Sequence, residues 1–167
     1  ITTSPISGGS IVVYASRHRK PEVASVEEYR RREAEEGIND LAAWEAFAQR
    51  SFAHRDTLRE MLAACAESGP LVGYGASARS STLLNFCGID HRLLPVIADQ
   101  NPLKQGKYTP GSHILIESPE KAMQRKPRYV FILAWNFTNE IVGILESKFG
   151  YGGSCVIPLP DEPYIRH

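Results

Sequence analysis

The sequence predicts an α/β fold: a Rossmann-like, mostly parallel sheet with helices on both faces, preceded by an N-terminal strand and a long helix. Three observations predict it. From Pro70 onward, short apolar runs alternate with runs of helical periodicity, as in βαβ units with right-handed crossovers. The run Val-Phe-Ile-Leu-Ala at 130–134 is apolar without alternation, as in a strand covered on both faces. A glycine-rich turn, Val72-Gly73-Tyr74-Gly75-Ala76-Ser77-Ala78, joins such a strand to such a helix.

The elements follow in order. Residues 10–15, Ser-Ile-Val-Val-Tyr-Ala, read as a short strand after Gly8 and Gly9, and 16–21 as a basic loop. Ser25-Val-Glu-Glu28 has the capping-box pattern, so a helix is expected from Val26 to just before Gly37. Asp40 is placed to cap a longer helix over about 41–67. Leu41, Trp44, Phe47, Ala48 and Phe52, then Leu58, Leu62 and Cys65, keep helical spacing along it, and Gly69-Pro70 ends it. Strands are expected at 71–74, 94–98, 113–116, 129–134 and 153–158, and helices at 78–88, 119–125 and 137–148. The expected organisation is one domain over 1–167, with an extension at 1–69 and a Rossmann-like core at 70–167. The chain opens on Ile1 without a methionine and reads as an excised fragment or a processed product.

Composition excludes several classes. Lysine plus arginine and aspartate plus glutamate are both 19, which argues against a nucleic-acid partner. No apolar run approaches the roughly 20 residues of a membrane span, and no signal peptide is visible. Three scattered cysteines, Cys65, Cys87 and Cys155, read as buried thiols of a cytoplasmic protein, not a disulfide framework or zinc site. The five histidines show no metal-ligand spacing, and His54 on the long helix reads as a surface or satisfied side chain. No nucleophile elbow and no Cys/His pair stands out, so spacing nominates no general base.

In a parallel sheet the ligand crevice lies beyond the carboxyl ends of the strands. The turn has the spacing G-x-G-x-x-A, and Asp99 lies 24 residues after Gly75, near where a ribose-binding acid would sit. Gly75, Ala76, Arg79 and Ser80 offer a phosphate backbone amides, a guanidinium and a hydroxyl; the bland alternative is a turn needed only for packing. The stretch 99–111 is long, polar and without helical periodicity where a βαβ unit normally has a helix. Within it Asp99, Asn101, Lys104, Gln105 and Tyr108 offer acceptors, donors and a ring, against the alternative of a solvated connector. Trp135 offers a stacking face or core filling, and Asn136 a ligand contact or the N-cap of the next helix. Arg79 and Lys104 leave adjacent strand ends and are expected to converge on one anionic site.

Several of these segments together resemble one family: Gly8-Gly9-Ser10, Gly73-Tyr-Gly-Ala-Ser-Ala-Arg-Ser80, Asn85-Phe-Cys-Gly-Ile89, Asn101-Pro-Leu-Lys-Gln-Gly-Lys-Tyr-Thr-Pro-Gly-Ser112 and Leu133-Ala-Trp-Asn136. They look like the C-terminal domain of the SAM-dependent C-methyltransferases that act on nucleotide-linked deoxysugars. The resemblance runs in order along nearly the whole chain. It implies a parent with a zinc-binding region and a SAM-binding domain ahead of this one, and a C-terminal domain that helps hold the sugar nucleotide. It therefore implies no cofactor for these residues themselves, and two partners: a nucleotide-linked sugar and the parent's SAM-binding domain. Carried over, the substrate-facing residues are Gly75, Ala76, Arg79, Ser80, Asn101, Lys104, Gln105, Trp135 and Asn136, with lysine common in the family where this chain has Arg79. The family's catalytic histidine and glutamate would lie ahead of Ile1, so no catalytic residue is expected in this chain. Two rival readings stand beside it: an NAD-dependent oxidoreductase domain, from the glycine turn and Asp99, and a non-catalytic interaction domain with a vestigial nucleotide fold.

Overall fold

The computed structural model describes residues 1–5 and 9–167. The chain divides into two compact units, Ile1–Ser51 and Phe52–His167. The division falls inside a helix, not at the Gly69-Pro70 break.

In the first unit, β1 (Thr2–Ser4) pairs antiparallel with β2 (Ser10–Val12). The strand expected over 10–15 is thus shorter, and Gly8 of the preceding turn lies outside the described residues. Helix α1 (Ala24–Glu35) starts ahead of the expected capping box, and that box does not form. Ala24, a strong helix former, carries the helix one residue past Ser25. The N-cap position is Val23, and the Ser25 hydroxyl accepts instead from the Ile1 nitrogen at 3.1 Å. Helix α2 (Leu41–Ser68) begins where expected, with the Asp40 carbonyl accepting from the Ala43 and Trp44 amides.

The second unit is a six-stranded sheet with helices on both faces. It comprises β3 (Leu71–Tyr74), α3 (Ala78–Cys87), β4 (Val96–Ala98), β5 (Leu115–Glu117), α4 (Pro119–Met123), β6 (Tyr129–Ile132), α5 (Thr138–Phe149), β7 (Ser154–Ile157) and β8 (Tyr164–Arg166). The sheet order is β5-β4-β3-β6-β7-β8. Every pair is parallel except β7–β8. Alternate strand residues feed two apolar layers. On one face Leu71, Ile97 and Phe131 meet Leu58, Leu62 and Cys65 of α2 and Leu83, Leu84 and Cys87 of α3. On the other, Val72, Tyr74, Val96 and Val130 meet Ala122 of α4 and Ile141, Val142 and Leu145 of α5.

Local chemistry sets the boundaries. Ser77 and Ser80 form a reciprocal capping box at the start of α3, and Gly88 in the left-handed region ends it. Strand β4 is shorter than 94–98, because Pro95 has no N–H for the ladder. Strand β6 stops at Ile132, where the Leu133 and Ala134 amides both turn to the Tyr74 carbonyl. A 3₁₀ turn, Trp135–Phe137, precedes α5, so Asn136 lies inside that turn and does not cap the helix. The hydroxyl that closes it belongs to Thr138, which donates to the Trp135 carbonyl at 2.7 Å. Strand β8 carries no sequence signal; its residues follow a Pro-rich stretch too short for periodicity.

Candidate functional site

The strand order reverses between β3 and β6, so the crevice of an open α/β sheet is expected there. The glycine turn closes it instead. Gly75 has φ +98, and a Cβ on it would lie 2.6 Å from the Ala134 Cβ at the end of β6. Only glycine fits that approach. The turn is then fixed from the other side by Asp99, 8% exposed, at the end of β4. Its Oδ2 accepts from the Ala76 amide at 2.8 Å and from Lys104 Nζ at 3.0 Å, while its Oδ1 accepts from the Asn101 amide at 2.9 Å. Lys104 Nζ also donates to the Ala76 carbonyl at 2.6 Å. The amide that would face a phosphate in a dinucleotide turn thus already holds a carboxylate. Asp99 is the resident anion of the turn, and its acceptors are committed before any ribose arrives.

The stretch 99–111 is ordered by its own polar groups. The Asn101 side chain accepts from the Leu103 amide at 3.0 Å, and Gln105 Nε2 donates to the Asp99 carbonyl at 3.0 Å. Thr109 and Ser112, both buried, share a hydroxyl hydrogen bond of 2.7 Å. The chain folds back on β5, with Gly106 N–H to Ile116 O and Ile116 N–H to Lys107 O, both 2.8 Å. Asn85 of α3 donates to the Pro110 carbonyl at 3.1 Å and sits so close to Gly111 that a Cβ there would overlap its amide.

Between this stretch and the first turns of α3 lies an open hollow of about 350 Å³. Ala76, Ser77, Ala78 and Ser81 form one wall, and Leu103, Lys104, Lys107, Tyr108, Thr109 and Pro110 the other, with Ile116 also lining it. The N-terminus of α3 brings partial positive charge to it. Lys107 adds a whole charge, and Tyr108, 60% exposed beside His113, adds a ring.

The structure therefore brings Ala76, Lys104 and Tyr108 to one hollow. Gly75, Asp99, Asn101 and Gln105 build the framework behind it, and Ser80, fully buried, is spent on the cap of α3. Arg79 is exposed, is not among the lining residues, and among the described residues no hydrogen bond or ion pair holds it. Lys104 lines the hollow and Arg79 does not. Trp135 is half-buried against the α2/α3 layer, and Asn136 is exposed at the end of β6. Lys107 is the residue that sequence reasoning passed over; it stands two positions after Gln105 in the same basic run.

The other titratable groups lead elsewhere. Burial pushes the Cys87 and Cys155 thiols up to about 11, so neither is a nucleophile. His54 is not a satisfied side chain, since its Nε2 is buried and, among the described residues, has no hydrogen-bond partner. Among the described residues no three His, Cys, Asp or Glu side chains are placed to hold a metal ion. No helix among them is long and apolar enough to cross a membrane.

Residues 5–160 match the family model described as C-methyltransferase C-terminal domain. The chain is similar to a curated protein of Streptomyces niveus, the C-methyltransferase NovU, with 36% identity over 171 aligned residues. That alignment takes in 99% of this chain and 40% of the relative, so the chain spans about 40% of the length of the curated relative it matches.

Proposed function

The chain belongs to the C-methyltransferase C-terminal domain family, and from that premise we propose that it is the sugar-nucleotide-binding part of a larger SAM-dependent enzyme that methylates a carbon of a nucleotide-linked keto-deoxysugar. The observation that carries the reading is the hollow beside the N-terminus of α3, with Lys107 and Tyr108 on its far wall. A helix N-terminus and an ammonium suit a diphosphate. An exposed aromatic ring suits a base or sugar face. The role is positional: holding the sugar so that its carbon meets the methyl donor turns a bimolecular encounter into an oriented one. The donor and any zinc belong to the parent beyond residues 1–167, where the base that removes the sugar proton would also lie. The compartment proposed is the cytoplasm. The dinucleotide alternative loses its support, because Asp99 is tied to Ala76, Asn101 and Lys104 and is not free for a ribose.

Titration calorimetry with TDP and with NAD tests the reading on the chain and on the parent. TDP is expected to bind and NAD not to. Lys107→Met is expected to weaken TDP by about 1.5–3 kcal/mol, roughly ten- to a hundredfold, as for one charge-assisted hydrogen bond. Tyr108→Ala should weaken it as well. TDP binding that ignores both substitutions, or no TDP binding in the parent, refutes the assignment.

A further inference from the structure

Helix α2 carries one apolar face along both of its halves. Trp44, Ser51, Leu58 and Cys65 recur every seventh residue, with Phe47 and Leu62 beside them on the same side. In the second half that face is the core, where Leu58 and Leu62 are 0% exposed and Cys65 3%. In the first half it is bare. Trp44 is 58% exposed and Phe47 55%, their rings packed edge to face at 6.3 Å. The whole first unit shares this character: no described residue of Ile1–Ser51 is buried, while Ile11, Val13, Tyr14 and Leu41 stand out among its exposed apolar side chains. A two-stranded hairpin and two helical segments with none of their described residues buried do not offset the entropy of ordering them. A regular apolar stripe left open on an ordered helix marks a surface that another surface covers.

We propose that the Trp44/Phe47 face of α2 is the docking surface for the part of the same polypeptide that lies outside residues 1–167. Two observations choose this occupant over a second copy of the chain. The relative NovU has 60% of its length outside its match to this chain, so the family supplies such a segment (100% less the 40% aligned). The stripe is also small. Two rings and a leucine fall well short of the roughly 800 Å² per partner of a stable interface between separate molecules. They suffice in cis, where a linked surface meets its target at an effective concentration near the millimolar range. The inference concerns the cover of α2 and stands whichever ligand occupies the hollow.

The test uses the full-length parent with a photo-crosslinking amino acid at position 44, at position 47 and, as control, at Gln49 on the opposite, exposed face. After irradiation, mass spectrometry is expected to find positions 44 and 47 joined to peptides outside 1–167 of the same molecule, at a yield several-fold above position 49. Three outcomes overturn the proposal: yields at 44 and 47 no higher than at 49, crosslinks only within 1–167, or covalent dimers as the main product. Because each variant is read in a folded parent that retains its thermal transition, loss of folding is not mistaken for loss of docking.

Discussion

Asp99 shows how a residue chosen for one chemistry serves another. Its distance from Gly75 fits a ribose-binding acid, yet its two oxygens accept from two backbone amides and a lysine. Removing it leaves the Ala76 amide, in a residue only 8% exposed, without its acceptor. An unsatisfied buried donor costs about 1–3 kcal/mol, and the Asn101 amide and Lys104 lose a partner too. Asp99→Ala is therefore expected to lower unfolding stability by about 2–4 kcal/mol in urea titration. Lys104→Met removes a side chain 38% exposed and is expected to cost nearer 1 kcal/mol. The pair separates framework from ligand contact. If Lys104 serves only the turn, Lys104→Met lowers stability more than Lys107→Met does and weakens TDP less. The opposite ranking would make Lys104 the ligand contact.

At the scale of elements, β5 and α4 are joined by one buried carboxylate. Glu117, 4% exposed, meets Lys121 at 2.8 Å and Arg125 at 3.1 Å. Burial pushes its carboxyl up, but the two cations outweigh that and hold it below 4.5. A folded value below the unfolded one stabilises the fold at pH above about 4.5, and that stabilisation fades as pH falls through the folded value. Glu117→Gln is expected to cost about 1–3 kcal/mol at pH 7. The gap between wild type and variant should close as pH falls through that lowered value; a gap independent of pH would reject the ion pairs as its source. Such contacts mark the limit of legibility. The βα alternation, the Ser77 and Gly88 bounds of α3 and the helix-free stretch after β4 were readable, because each rests on neighbours in sequence. The Asp99–Ala76 bond, the seat of Gly75 against Ala134 and the Asn85–Pro110 bond join residues 23 to 59 positions apart. A local pattern cannot distinguish a polar residue that meets a ligand from one that meets another loop. Strand β8 and the hairpin partner β1, three residues each, are too short to show a period.

At the scale of the two units, the second has two apolar layers, while no described residue of the first is buried. Residues 52–167 should therefore carry the cooperative unfolding transition, with 1–51 exchanging its amides at or near the unfolded rate unless it is covered. Hydrogen exchange on the isolated chain checks this; strong protection within 41–47 would contradict it. The same division bears on chemistry. Among the described residues one glycine-rich strand-to-helix turn is present, and that turn is filled by Asp99. The isolated chain is accordingly expected to bind no SAM in calorimetry and to transfer no methyl group, and the proposed parent is expected to do both. Tight SAM binding by residues 1–167 would place the methyl donor here after all.

The return of residues 106–108 along β5 has a consequence for solubility. A terminal strand with unpaired N–H and C=O groups recruits strands from other molecules. Here Gly106 and Lys107 already hold the outward-facing groups of Ile116, and Tyr108 bridges Leu115. The segment that frames the hollow is thus also the hem of the sheet. Replacing 101–108 with a short glycine linker should do more than remove a binding wall: it should raise self-association through β5 above that of the unaltered chain. Light scattering at rising concentration would show it, and a monomeric deletion variant would mean that something else guards that edge.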